Sequence, residues 1–524
     1  MFLASESELM SINNEQKLSE LISRVETISP RLVDHWQAMA VVESLGYTDR
    51  IIKEEFGFAD VLSIGKYIYE RHCPSPPTSK SKPHLSWKQK AIAELYIFAE
   101  RFSRSFVYAI PLLALLLLGN REPTNISKFL PLQLVSLFTL ATLASLIGSG
   151  GFVQMISRRG EFYLGLGFPA QARRACISLL GLGITVNIAL ALVGLWFGFY
   201  RGLFADEYLI LAAGYYLLLS ILWMLLAILA LQWRWGTPLT LVVLTVSFLV
   251  LRLGIGVGAL EAQIAAIFVT LIAVSTLIVI LFTRQPLVNP VNQENQLPRL
   301  SATVYLLAPF FGYGIVYFSF IFADRLVAGW AVTPASGLVF AIDSAYQRAM
   351  DLALLNFLLL VPLVEYLAYK LIRYWYEQSK VLPSQSIASL SQGLRRRYWL
   401  IIEVALLFFG LSVTFTVKIV TPMPWATVNI FLTLIGCLGY LLLALGLLNA
   451  IVLFSLNLVF AVLASLFPSL LLNFIVGYVM AKLIAPDWAV LGLVFGSTAF
   501  MLLSSRKVLQ AIHNPDYAYY LGGY

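Results

Sequence analysis

From about residue 105 to the C-terminus, long apolar runs alternate with short polar breaks. Each run approaches the roughly 20 residues that a helix needs to cross a bilayer. The runs predict spans over Ser105–Gly119, Leu130–Ile156, Pro169–Tyr200, Glu207–Leu231, Pro238–Val257 and Leu260–Thr283. A polar connection, RQPLVNPVNQENQLPRLS, follows. Beyond it the runs predict Ala302–Trp330, Ser336–Tyr376, Arg397–Val420, Ala426–Phe454, Asn457–Ala481 and Trp488–Leu503. The cut near Asn457 separates two apolar runs with no strong turn signal. The short alternating segments of a β-barrel are absent from this pattern.

Residues 1–72 follow a different rule, with apolar positions three to four apart, as amphipathic helices have. QKLSELISRVETI and PRLVDHWQAMAVVESLG read as two such helices. A third begins after Thr48 as candidate N-cap and is broken by Phe-Gly-Phe at Gly57. The linker CPSPPTSKSKPHLS is rich in proline and serine and predicts extended chain. Trp87 to Arg104 predicts an amphipathic helix leading into the first span.

The expected fold class is an all-α polytopic membrane protein. It has about 12 transmembrane helices in two six-helix bundles, plus a small helical cytoplasmic N-terminal module. The divisions are a module over residues 1–72, a linker over 73–86 and a first bundle over 87–283. A cytoplasmic connection over 284–301, a second bundle over 302–510 and a tail over 511–524 complete it.

Composition sharpens this picture. Of the 524 residues 59% are hydrophobic and 12% charged, with a mean hydropathy of +0.81. One globular core could not hide that much apolar surface. The net charge of +8 sits mainly in loops beside the apolar runs, which is what membrane orientation and attraction to anionic lipid require. No nucleic-acid partner is expected from it. Arg158, Arg159, Arg173, Arg174, Arg395, Arg396 and Arg397 fall on one side if the spans alternate. Far fewer basic residues, among them Arg121, Lys128, Arg201 and Lys418, fall on the other. The asymmetry predicts an inner-membrane protein with both termini cytoplasmic. The leading residues carry no signal-peptide pattern. Cys73, Cys176 and Cys437 lie far apart and are expected as free thiols, and the four histidines lie outside the apolar runs. No metal or other cofactor is expected.

The candidate chemistry gathers between Gly312 and Tyr376. Asp324, Arg325, Asp343, Arg348 and Asp351 lie around a Thr333-Pro334 break between two apolar segments. Charges beside hydrocarbon are costly and normally face water or one another. Asp343, Gln347 and Asp351 are spaced to share one helix face, and Arg348 lies within ion-pair reach of Asp351. With Asp324 and Arg325 they make a candidate outer vestibule for hydroxyl-rich or amino sugars, unless the helix end simply projects into water. On the other side of the membrane, Gln154, Arg158, Arg159, Arg173, Arg174 and Glu365 are candidates for an inner mouth. That basic collar would gather an anionic substrate, or only anchor the helices in headgroups. Gly148, Gly150 and Gly151 beside it permit close helix approach. Pro309, Pro362 and Pro468 predict kinks that would serve as gates or as fixed bends.

The segment GSGGFVQMISRRGEFYLGLGFPAQARRACISLLGLGI resembles the corresponding stretch of the multidrug/oligosaccharidyl-lipid/polysaccharide flippase superfamily. It has a polar helix end, a short glycine loop and Ala-Arg opening the next helix. YGIVYFSFIFADRLVAGW and MDLALLNFLLLVPLVEYLAYKLIRYWYE are similar to the seventh and eighth spans of its Pel-type exopolysaccharide transporters. The resemblance covers about residues 100–510 as architecture. It implies alternating access and the gradient-driven export or flipping of a polysaccharide or lipid-linked saccharide. Cation-coupled drug export within the same superfamily, or a non-transporting scaffold that recruits a glycosyltransferase, are the alternatives. No Walker loop, GxSxG or HExxH motif appears in the chain, so no enzyme activity is expected. Partners are then membrane lipids, the saccharide and a glycosyltransferase or export-complex subunit docked through residues 1–72. Trp36, Tyr47 and Phe56 are its candidate contacts, or else its own core.

Overall fold

The computed structural model describes residues 6–29, 32, 34–71, 86–113, 132–284, 299–336, 340–379, 387–420 and 429–518. All regular structure among them is helical. Eleven of the described helices are long and apolar enough to cross a membrane. The end of the expected first span, residues 114–119, lies outside the described residues, as do nearly all of the linker and most of the central connection.

The chain divides into two compact units. One comprises Met1–Ile97, Lys370–Tyr398 and Ile512–Asp516. Within it α1 (Glu6–Ile28), α2 (His35–Ser44), α3 (Asp49–Phe56) and α4 (Val61–Arg71) form a module with its own core. Leu21, Val25, Val42, Ile52, Val61, Ile64 and Ile68 are buried together. The helix starts are satisfied by side chains: Asp34 Oδ1 accepts from Gln37 N at 2.8 Å, and Asp60 Oδ1 from Ser63 N at 2.7 Å. Thr48 sits at the N-cap of α3 but makes no side-chain capping bond. Gly57 ends that helix at a φ of 75°, a conformation glycine adopts without strain. Tyr47 and Phe56 stack edge-on at 5.8 Å against the core, so two of the three candidate contact aromatics are internal. Trp36 remains 47% exposed.

The second unit comprises Phe98–Tyr369, Trp399–Ala511 and Tyr517–Tyr524. Its first half is built from α6 (Leu132–Gly165), α7 (Pro169–Arg201), α8 (Asp206–Gln232), α9 (Gly236–Leu249) and α10 (Ala259–Arg284). A π-helical turn, Val250–Ile255, continues α9. These helices enclose Phe152, Ile156, Leu179, Leu222 and Met224. Buried polar groups are satisfied across and within helices: Tyr216 of α8 donates to Asn187 Oδ1 of α7 at 2.6 Å, and Asn187 Nδ2 donates to Gly183 O of its own helix at 2.8 Å. The second half is built from α11 (Leu300–Ser336), α12 (Ser344–Ser379), α13 (Ile387–Val420), α14 (Ile430–Ser455), α15 (Val459–Leu483) and α16 (Val490–His513), with residues 370–379 of α12, 387–398 of α13 and 512–513 of α16 counted in the first unit. Here too amides join apolar helices. Asn356 accepts from Ser412, Asn449 Nδ2 donates to Ser504 Oγ at 3.0 Å, and Asn473 Nδ2 donates to Phe320 O at 3.2 Å.

Three expectations are corrected or completed. Helix α11 runs through Thr333-Pro334 to Ser336, because the φ of proline is itself helical and near a helix end it removes only one hydrogen bond. The next helix therefore starts at Ser344 rather than Ser336. The turn at Asn457 is made by that residue's φ of 58°, a left-handed conformation that asparagine tolerates better than other side chains. Finally, the glycine cluster of α6 is where the two halves touch. A Cβ on Gly150 would lie 3.1 Å from Gly314 O, and one on Gly314 only 2.3 Å from Gly150 O. Backbone meets backbone there, as small residues allow.

Candidate functional site

Asp324 and Arg325 are neighbours on α11, so their side chains leave the helix about 100° apart and find different partners on α12. Asp324 is fully buried, and its Oδ2 accepts from the Tyr346 hydroxyl at 2.9 Å. Arg325 is 7% exposed; its Nη1 donates to Asp351 Oδ1 at 2.6 Å and to Gln347 Oε1 at 2.9 Å. Tyr440 of α14 is buried in the same group. Two carboxylates and one guanidinium thus lock α11 to α12 along one seam. Charges this deep are stable only when paired, because neither can recover its hydration. The Asp351 side chain is 29% exposed, so one end of the seam opens on accessible surface.

The six candidate vestibule residues therefore divide. Asp324, Arg325, Gln347 and Asp351 come together. Asp343 does not join their face, since it precedes the helix and caps it: its Oδ1 accepts from Ala345 N at 2.8 Å and Tyr346 N at 3.4 Å. Arg348 is exposed and its Nε donates to Ser344 O of its own helix at 3.1 Å. The expected local ion pair of Arg348 with Asp351 is replaced by Arg325 with Asp351. The exposed guanidinium can be hydrated, whereas the buried one requires a carboxylate. Tyr346 and Tyr440 were not singled out from the sequence, although a buried aspartate needs a donor and tyrosine hydroxyls are among the donors these apolar helices carry. The capping role of Asp343 gives a direct test. Asp343→Ala should lower stability by about 1 kcal/mol, read as a modest fall in thermal midpoint in detergent, and Asp343→Ser should restore it.

The inner-mouth candidates divide as well. Arg158, near the end of α6, reaches into the second half: its Nη2 donates to Asn457 Oδ1 at 3.1 Å, and its guanidinium lies 5.2 Å from the Phe310 ring. Arg159 instead donates to the Tyr163 hydroxyl at 2.8 Å and covers that ring at 4.6 Å. Arg173 lies over Phe282 at 5.4 Å, and Arg174 is exposed. Gln154 is half-buried on α6. Glu365 is exposed on α12, on the face that carries Asp351 four turns away. Pro362 and Pro468 lie inside α12 and α15, and Pro309 inside α11. The collar is thus not one ring of like charges. Two of its members pack on aromatic rings of their own half, while Arg158 bridges the halves. No group of three or more His, Cys, Asp or Glu with metal-holding geometry occurs among the described residues.

No protein-family model matches the sequence, and no curated protein does. Solved structures do match in three dimensions. One is the outward-facing conformation of a multidrug resistance MATE family transporter of the MOP superfamily. It is 14% identical, covers 80% of this chain and 96% of its own, and has a TM-score of 0.55. A MATE structure in complex with MaD3S matches at 14% identity, 80% and 96% coverage and a TM-score of 0.54. A MOP superfamily transporter from Pyrococcus furiosus, described as having a binding pocket of reverse polarity, matches at 14% identity, 79% and 96% coverage and a TM-score of 0.50. At such identity the likeness is one of fold. The chain is a multi-pass membrane protein with the twelve-helix fold of the MATE transporters of the MOP superfamily.

Proposed function

We propose that this protein is a secondary transporter that exports a saccharide, as polymer or lipid-linked unit, by alternating access of two six-helix halves. The termini and the Arg158 end of α6 then face the cytoplasm, and the Asp351 end of α12 faces outward. The observation that carries the reading is the group of Arg325, Gln347 and Asp351, placed where a buried seam meets accessible surface. Carboxylate and amide together offer both acceptors and donors, which suits a hydroxyl-rich ligand better than an apolar one. A fold shared with transporters caught in an outward-facing state supports the two-sided mechanism. The multidrug neighbours favour a second reading, export of a small organic molecule.

Deleting the gene separates the two. Saccharide export predicts that surface polysaccharide is lost while its lipid-linked precursor accumulates inside the cell. Normal polysaccharide together with drug hypersensitivity would reject the first reading and favour the second.

A further inference from the structure

Two kinds of contact join the halves, and they differ in how easily they separate. About midway along α6, Gly150 and Gly151 meet Gly314 of α11 backbone to backbone, an approach that involves no side chain of its own. Towards the outer end, Ile342 N donates to Ser136 Oγ of α6 at 3.2 Å. About two turns below the glycines on the inner side, Arg158 reaches Asn457 and Phe310. Phe310 in turn stacks on Phe454 at 6.2 Å. The second seam, formed by α5 (Trp87–Phe106) against α12 and α13, repeats the pattern. Phe98 meets Tyr366 at 5.2 Å, Phe102 meets Phe408 at 6.2 Å, and the guanidinium of Arg101 lies 3.9 Å from the Tyr369 ring.

Each seam thus ends, on the inner side, in an arginine from the first half laid on an aromatic ring of the second. Anchoring to headgroups would require only a charge in the interface, yet Arg158 is committed to a residue 299 positions away. Its acceptor is held rigidly, because Asn457 is fixed by its left-handed turn and by Leu458 N donating to Leu453 O at 2.9 Å. Arg158 and Asn457 are also both exposed. An exposed polar contact is weak and exchanges readily with water, unlike the buried pair of Arg325 with Asp351. One is suited to permanent structure, the other to making and breaking.

We propose that Arg158, received by Asn457 and Phe310, is a latch that holds the halves together at the inner end and releases when the pathway opens to the cytoplasm. Arg101 on Tyr369 is its counterpart on the other seam. The inference rests on the alternating-access reading above, with the glycine contact as pivot.

The test measures the inner opening directly. Spin labels are placed at Leu166→Cys and Ser455→Cys in the full chain carrying Cys73→Ser, the other two cysteines being buried. Distances are then read by double electron–electron resonance in proteoliposomes. Arg158→Ala should raise the ratio of long to short distances by roughly 1.5- to five-fold, the effect of losing one exposed polar contact on a two-state balance. Asn457→Gly, which keeps the left-handed turn and removes the acceptor, should do the same, and the double variant should shift no further. Distance distributions identical to wild type in the folded single variants would overturn the latch. If Arg158→Ala fails to fold, Asn457→Gly decides alone. A shifted distribution in a protein whose deletion affects no export would preserve the latch and reject the function instead.

Discussion

Arg325→Met should be the most damaging single substitution in the membrane unit. It leaves Asp351 without its ion-pair partner and removes the positive charge adjacent in sequence to the fully buried Asp324. Removing one partner of a buried pair costs about 3–5 kcal/mol, because the remaining charge keeps its desolvation penalty and loses its compensation. The expected result is a collapse of the monodisperse peak on size-exclusion chromatography in detergent, or a large fall in thermal midpoint. Arg325→Met combined with Asp351→Leu should recover part of the loss, since the second orphaned charge is then gone. Wild-type stability of Arg325→Met would show that the seam between α11 and α12 does not depend on this pair.

Gly314→Ala is the second large effect, and its control lies two residues away. A single methyl at Gly314 would lie 2.3 Å from Gly150 O, 2.6 Å from its carbonyl carbon and 2.8 Å from Gly151 Cα. None of these is a side chain that can rotate aside, so the halves must separate or α11 must bend. Overpacking of this kind costs about 1–3 kcal/mol and more where backbone is involved. At Gly312 the added methyl would first meet the Leu463 side chain at 3.5 Å, an ordinary contact. Gly314→Ala should therefore lower the thermal midpoint in detergent, while Gly312→Ala stays near wild type. Equal behaviour of the two would mean that the crossing is looser than its geometry indicates.

Hydrophobic pattern made the membrane helices legible, because a span is encoded locally by length and polarity. The glycine cluster of α6 was legible as a place of close approach, but its partner was not. Gly314 is far away in sequence, and nothing in either segment names the other. The charge cluster failed in the same way. Spacing along one helix favours Arg348 as the partner of Asp351, yet burial decides the pairing, and burial belongs to the assembled bundle. Asp343 shows the limit of periodicity most plainly. Its place in an i, i+4, i+8 series has meaning only if the helix already exists at that residue, and the helix begins one position later. Asn457 carried a weak turn signal that apolar flanks on both sides concealed.

The amides buried in the second half bear on how the protein is made. Asn356 waits for Ser412 on the following helix, and Asn449 on α14 for Ser504 on α16. Spans released one by one into the bilayer hold these groups without partners until later helices arrive, and an unsatisfied amide in hydrocarbon is costly. The second half can therefore close only after α16 has left the ribosome. A nascent chain cut short before that helix would present Asn449 to lipid, a ready mark for the proteases that clear incomplete membrane proteins.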